Sequence, residues 1–147
     1  MCLADPRGDE ERVNYLDTSA LIKLLAPEFE SDALTIWMAR QANEGEAFGT
    51  SVIGQIELTR AAARMTDPDT TSQAQYIGEQ AETIPLTVAM AKLAETIGPP
   101  HLRSLDAVHL ASAMSIRDQI SAFVTYDKRL SDAAEVEGLT VVSPGAE

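Results

Sequence analysis

Short apolar runs alternate with longer amphipathic segments along most of this chain. Five runs are rich in strand-forming residues and predict strands, namely VNYL, AFGTS, TIPL, SAFVTYD and LTVVS. Seven segments have helical spacing and lie between or beside these runs: SALIKLL, SDALTIWMARQAN, VIGQIELTRAAARM, TSQAQYIGEQAE, TVAMAKLAETI, SLDAVHLASAMSI and KRLSDAAEVE. Strands that alternate with helices predict an α/β domain built on a central, mainly parallel sheet.

The two ends of the pattern suggest the domain boundaries. Residues 1–12 are polar, contain Pro6 and Gly8 and show no periodicity, so we expect a flexible extension there and a single domain over residues 13–147. No apolar run approaches the roughly 20 residues that a membrane span needs. The lone Cys2 permits no internal disulfide. Together these features predict a cytoplasmic protein without a membrane partner.

The charge balance of the chain limits its partners. The 147 residues carry a formal net charge of -12. Such a protein repels nucleic acid at long range, which argues against a nucleic-acid substrate unless a local feature reverses the field. A cluster of carboxylates around a cation, or a basic rim around a pocket, is a feature of that kind.

Two acids lie at predicted strand ends, where sites form in parallel sheets. Asp17 follows VNYL, and Asp127 ends SAFVTYD. Each acid also fits the simpler role of a helix N-cap, so both roles stay open. For Asp17 we expect the neighbouring hydroxyls of Thr18 and Ser19 to perform the capping, which would leave its carboxylate free.

Two further acids interrupt apolar helix faces. Glu57 lies beside the apolar stripe of its helix, although an intrahelical ion pair with Arg60 is the simpler explanation. Asp106 lies among apolar residues near the start of its helix, where a pair with Arg103 or a favourable helix-dipole interaction would also account for it. Ionised carboxylates in such surroundings are costly unless they are paired or bound to a metal.

The four acids share one chemical solution, a metal site in a common crevice. Clustered carboxylates repel and protonate in part unless a cation holds them. Oxygen ligands without cysteine favour Mg²⁺ or Mn²⁺ over zinc. The expected chemistry is hydrolysis of a phosphodiester by metal-activated water. Six of the 11 basic residues lie close in sequence to the acids and are candidates for phosphate binding: Lys23, Arg60, Arg64, Arg103, Lys128 and Arg129.

Four segments of the chain resemble the acidic motifs of a known family. The segments YLDTSALIKL, TSVIGQIELTRAAAR, LRSLDAVHLASA and FVTYDKRLSDAA are similar, in this order, to the four motifs of the PIN domain. The chain looks most like the VapC-type toxin ribonucleases of toxin–antitoxin pairs. The resemblance implies a Rossmann-like α/β/α sandwich on a parallel sheet and a Mg²⁺- or Mn²⁺-dependent endoribonuclease. It also implies an RNA substrate, a VapB-type antitoxin partner and a homodimer.

The resemblance also implies roles for individual residues. It assigns Asp17, Glu57, Asp106 and Asp127 to the acidic, metal-binding quartet. It makes Ser19, with Thr18 beside it, a hydroxyl that holds a ligand or water, and it suggests that Thr125 orients Asp127. His109 follows Asp106 by one turn, and we expect a half-buried, hydrogen-bonded residue that fixes its helix. His101 is expected in a loop.

Two alternatives remain at this point. A housekeeping PIN nuclease for RNA processing would use the same chemistry in a different physiological role. A signalling or binding module with an acidic Mg²⁺ pocket, such as a phosphoacceptor receiver domain, belongs to another class. That module would need an acceptor Asp after a central strand, and none is evident here.

Overall fold

The structure is a computed structural model, and it describes residues 11–146. Five strands and seven α-helices occur in this part of the chain, in the order that the periodicity predicts. The strands are β1 Val13–Leu16, β2 Ala47–Ser51, β3 Glu82–Ile84, β4 Ile120–Val124 and β5 Val141–Val142. The helices are α1 Thr18–Leu25, α2 Ser31–Asn43, α3 Val52–Arg64, α4 Pro68–Gln80, α5 Val88–Ala94, α6 Ser104–Ser115 and α7 Lys128–Val136.

The strands form one parallel sheet with the order β3-β2-β1-β4-β5. The chain adds strands to one side of β1 first and then crosses to its other side with β4. This change of direction creates a topological switch point at the carboxyl ends of β1 and β4, where Leu16 pairs with Val124. In open parallel sheets a crevice for ligands forms at such a point.

Helices cover both faces of the sheet, because neighbouring strand residues point to opposite faces. Tyr15 and Phe123 pack with α5, α6 and α7 on one face. Leu16 and Val124 pack with α1 to α4 on the other. All four side chains are at most 1% exposed. The prediction of an α/β/α sandwich on a parallel sheet is therefore confirmed.

The predicted flexible extension, residues 1–12, lies mostly outside the described residues. Arg12 belongs to the described part and is anchored beside the sheet. Its guanidinium donates hydrogen bonds to Ser121 Oγ at 3.0 Å and to the carbonyl oxygen of Ile120 at 2.8 Å. The expectation of a flexible extension over residues 1–12 stays a prediction. Within residues 11–146, no helix combines the length and the apolar character that crossing a bilayer requires.

Candidate active site

Asp17 lies at the switch point and is 2% exposed. Its carboxylate caps α1, accepting a hydrogen bond from the Ala20 N–H at 2.9 Å. The hydroxyl of Ser19 donates to Oδ1 at 2.7 Å, and the hydroxyl of Thr125 donates to Oδ2 at 2.5 Å. Burial raises the pKa of Asp17, although these hydrogen bonds act in the opposite direction. The sequence-based expectation that Thr18 and Ser19 would cap α1 is wrong, because the carboxylate itself reaches the helix N–H.

Asp127 lies beside Asp17, three residues after β4. Its carboxylate caps α7 and accepts a hydrogen bond from the Leu130 N–H at 2.9 Å. Its backbone N–H donates to Thr125 Oγ1 at 3.1 Å. Thr125 therefore fixes the backbone of Asp127, while its own proton goes to the carboxylate of Asp17. The expectation that Thr125 orients Asp127 is correct for the backbone only.

Glu57 projects from α3 toward α1 and α6. Its Oε1 accepts a 2.5 Å hydrogen bond from Thr18 and lies 3.2 Å from Nε2 of His109. Burial raises the pKa of Glu57, but the contacts with His109 and Thr18 together lower it by more. The pKa of Glu57 is therefore below its usual value. The alternative of an ion pair with Arg60 is wrong, because no such pair exists within residues 11–146.

His109 was predicted as a half-buried, hydrogen-bonded residue of α6. It is hydrogen-bonded, but it is only 1% exposed. Its Nδ1 lies 2.7 Å from the hydroxyl of Tyr15, and its Nε2 lies 2.9 Å from Oγ1 of Thr18. The predictions from sequence omitted Tyr15, which is separated from His109 by 94 positions. A tyrosine within a strand that otherwise reads as core offers no sequence signal of this contact.

Asp106 lies in the first turn of α6, as the sequence predicted. Its carboxylate makes no hydrogen bond within the described part of the chain. Burial raises the pKa of Asp106, and the negative charges of Asp127 and Asp17 raise it further, whereas the Arg103 guanidinium lowers it. The carboxylates of Asp17 and Asp127 therefore lie close enough to Asp106 to act on its charge.

The chemistry of these donors fits a hard divalent cation, because all four acids offer oxygen ligands. Asp106 also carries the signature of like-charge repulsion that a bound cation would remove. As the side chains stand, no three Asp, Glu, His or Cys residues within residues 11–146 are placed to hold one ion. The carboxylates of Asp17, Glu57 and Asp127 each accept hydrogen bonds from protein donors.

The six basic candidates occupy different environments. Lys23 is buried and forms ion pairs with Glu28 and Glu30, both at 3.2 Å, so its proposed role in phosphate binding is wrong. Lys128 pairs with Asp132 on the exposed face of α7. The other four candidates make no ion pair within the described residues. They are Arg60, Arg64, Arg103 and Arg129.

Two of these arginines lie beside Glu57. Arg60 and Arg64 line a groove of about 380 Å³ that also reaches Glu57 and Thr18. Its remaining wall is apolar and includes Leu105, which is 47% exposed. Arg129 lines a different groove, near His101. The structure therefore places a cationic, partly apolar groove beside Glu57.

Comparisons with known proteins identify the family of this chain. The model of the PIN domain family matches residues 15–136. A Mycobacterium tuberculosis protein named Ribonuclease VapC47 is 47% identical over 132 residues, which cover 90% of this chain and 97% of that protein. Ribonuclease VapC35 from the same organism is 38% identical, with 89% and 96% of the two chains covered.

Solved structures show the same fold at low sequence identity. One chain of the Rickettsia felis VapBC2 complex, bound to a DNA fragment from its promoter, superimposes with a TM-score of 0.72 at 12% identity and covers 90% of this chain and 98% of its own. Mycobacterium tuberculosis VapC20, a toxin that cleaves the sarcin–ricin loop, gives 0.66 at 15% identity and covers 90% and 99%. The protein described here is a member of the PIN domain family.

Proposed function

We propose that this protein is an endoribonuclease that acts as the toxin of a toxin–antitoxin pair and requires Mg²⁺ or Mn²⁺. The observation that carries the proposal is the acidic crevice at the switch point of the sheet, in a chain 47% identical to a named VapC ribonuclease. PIN-domain ribonucleases generally depend on a divalent metal. When bound, the cation supplies an activated water and neutralises charge on the phosphodiester.

The protein's own residues would prepare the crevice for the cation and the RNA. We assign Asp17, Glu57, Asp106 and Asp127 to this crevice. Hydrogen bonds from Thr125 and Ser19 fix the Asp17 carboxylate in one conformation at the strand end, so the carboxylate is already oriented before a ligand binds. The hydroxyls of Ser19 and Thr125 are held against the Asp17 carboxylate by these hydrogen bonds, so we assign them a positioning role and take a water molecule as the attacking group.

The experiment that tests the function is RNA cleavage by the purified protein, free of any partner. We expect fragments from structured RNAs in MgCl₂ or MnCl₂ and intact RNA when EDTA replaces the cation. Expression in cells should arrest growth, and co-expression of a small neighbouring antitoxin gene should restore it. Intact RNA with both cations, or cleavage that persists in EDTA, would contradict the proposal. Growth arrest without a rescuing neighbour would favour a housekeeping nuclease instead.

An antitoxin and a second copy of the chain complete the proposed assembly. Solved structures of the same fold include toxin–antitoxin complexes, such as the VapBC2 complex from Rickettsia felis and FitAB bound to DNA. The net charge of -12 favours a basic inhibitory segment, because opposite charges speed association and fix orientation. The cytoplasm, where RNA and antitoxin are both available, is the proposed location.

The groove beside Glu57 is the proposed path of the RNA backbone. Arg60 and Arg64 have no acidic partner in the described residues, so their charge is available to phosphate. This local charge counteracts the repulsion that the whole chain exerts on RNA.

Replacing both arginines tests this path. We expect Arg60→Gln with Arg64→Gln to weaken RNA binding and raise KM, with a smaller effect on kcat. Each lost phosphate contact should reduce the slope of log K against log salt by about 0.7 for single-stranded RNA. The measurement is RNA affinity across a salt series, made with Asp17→Asn protein to prevent cleavage. Arg40→Gln, on the exposed surface of α2, is the matched control and should leave the slope unchanged. An unchanged slope in the double variant would contradict the path.

A further inference from the structure

A continuous set of hydrogen bonds connects the core of the sheet with Glu57. It begins at Tyr15, which is fully buried, stacks on Phe123 at 5.2 Å between ring centroids and meets His109 edge-on at 5.8 Å. It continues from the Tyr15 hydroxyl to Nδ1 of His109, and from Nε2 to Thr18 and Glu57. Because Tyr15 and His109 are enclosed by packed side chains, their positions are fixed by the fold itself.

The hydrogen bonds of this set are mutually compatible, because each of them can have one donor and one acceptor. An ionised carboxylate only accepts hydrogen bonds, so the Thr18 hydroxyl and Nε2 of His109 both donate toward Glu57. When the ring carries one proton, that proton is on Nε2, and Nδ1 accepts from Tyr15. The oxygen of Thr18 can accept from Nε2 while its own proton goes to the carboxylate. Every partner then has a donor facing an acceptor.

Both donors reach the same carboxylate oxygen. Thr18 donates to Oε1 of Glu57 at 2.5 Å, and Nε2 of His109 lies 3.2 Å from that atom. The second oxygen, Oε2, makes no hydrogen bond within the described residues. A glutamate side chain has three rotatable bonds and is mobile unless something restrains it. Here one oxygen is restrained and the other stays available.

We propose that His109 and Thr18 are positioning residues that hold Glu57 through Oε1 and present Oε2 to the cation and RNA of the acidic crevice. Tyr15 supports this arrangement by fixing the ring of His109. The inference rests on the proposed function, because it gives Glu57 its role there. Hydrogen-bond partners that orient a metal ligand in this way typically contribute about 10- to 100-fold to metal affinity or activity.

The competing explanation is that His109 merely connects α6 to β1 and stabilises the fold. The two explanations differ in their dependence on Glu57. If His109 acts through Glu57, its replacement should have no further effect once Glu57 is changed. If it only stabilises the fold, its effect should be the same in both backgrounds.

The test is a double-mutant cycle that measures Mn²⁺ affinity by calorimetry, with MnCl₂ alone as the probe. We expect His109→Ala to weaken binding about 10-fold in the wild-type background and to have no added effect in Glu57→Gln protein. His109→Gln, whose amide can donate near the position of Nε2, should restore part of the affinity. His101→Gln, in an exposed turn, is the matched control and should bind Mn²⁺ like the wild type.

A second pair of variants protects the test against misfolding of the His109 variants. Thr18 is only partly buried, and Thr18→Val keeps its shape but removes the hydroxyl, whereas Thr18→Ser keeps the hydroxyl. We expect weaker Mn²⁺ binding and a lower kcat, with little change in KM for RNA, in Thr18→Val and recovery of both in Thr18→Ser. Wild-type affinity in Thr18→Val or His109→Ala, or additive losses with Glu57→Gln, would overturn the inference.

The cycle also separates this inference from the proposed function. If the wild-type protein leaves RNA intact but the cycle shows coupling in Mn²⁺ affinity, the proposed function fails and the role of His109 stands. If RNA is cleaved and the losses are additive, the function stands and the positioning role fails.

Discussion

Asp17→Asn should abolish RNA cleavage while leaving the protein folded. The substitution removes the negative charge at the switch point, where Asp17 is enclosed by protein and shares its surroundings with Asp106 and Asp127. A residue that acts directly on the reacting groups typically contributes about 1,000-fold or more to kcat. We therefore expect a loss of at least about that size, measured as single-turnover cleavage of a labelled RNA.

The fold should tolerate this change because asparagine caps helices as well as aspartate does. Its carbonyl oxygen can still accept from Ala20 and Ser19, and its amide can face the hydroxyl of Thr125, which is free to rotate. We expect the free energy of unfolding to change by about 1 kcal/mol or less.

Asp67→Asn is the matched control for Asp17→Asn. Asp67 also caps a helix with its carboxylate, but it is exposed and follows no strand. It should keep both stability and activity. Cleavage retained in Asp17→Asn would contradict the assignment of the site, whereas equal losses in both variants would indicate that the cap matters and the charge does not.

The sequence predicted the fold well because its determinants are local. Each strand is a short run of β-branched or aromatic residues, and each helix has its own apolar spacing and its own start or stop signal. The positions of Asp17 and Asp127 followed from the same logic, since Asp17 comes directly after β1 and Asp127 lies three residues after β4 in a parallel sheet. Membership of the PIN family agrees with the motifs, and it removes the receiver-domain alternative.

The contacts within the site could not be predicted because they depend on groups far apart in sequence. Thr125 donates to Asp17 across 108 positions, and Tyr15 meets His109 across 94. The apolar residues around Asp106 in the sequence include Leu105, which is 47% exposed and lines the groove beside Glu57. Spacing shows which residues share a helix face, and only packing shows where that face ends.

The local rules also failed where several residues could perform one task. Three neighbouring side chains, those of Asp17, Thr18 and Ser19, are all able to cap α1. The fold selects Asp17, because Thr18 is engaged by Glu57 and Ser19 by Asp17 and the Tyr126 N–H. Sequence alone does not rank such competing hydrogen bonds.

Asp106→Asn should make the cation-free protein at least as stable as the wild type. The pKa of Asp106 is higher in the folded protein than in the unfolded chain, first through burial and then through the charges of Asp127 and Asp17. A raised carboxyl pKa means that folding disfavours the ionised form, so ionised Asp106 reduces stability above its folded pKa. Asparagine keeps the size of the side chain and removes that loss. The gain should therefore be present at pH 7 and shrink as the pH falls toward 4.

Thermal unfolding with and without MnCl₂ measures both halves of this prediction. In EDTA at pH 7 we expect the Tm of Asp106→Asn to equal or exceed that of the wild type by up to about 4 °C, the shift that about 1 kcal/mol produces in a chain of this size. Addition of MnCl₂ should raise the wild-type Tm and raise that of the variant much less, since a ligand stabilises only the state that binds it. Asp132→Asn, which removes an exposed partner of Lys128, should show no gain in EDTA and a full response to Mn²⁺. A cation-free Asp106→Asn protein that is less stable than the wild type, or an equal response of both to Mn²⁺, would show that Asp106 supports the fold instead of the cation. The two expected results together would show that Asp106 lowers the stability of the cation-free protein and is needed for cation binding, as is common for residues of functional sites.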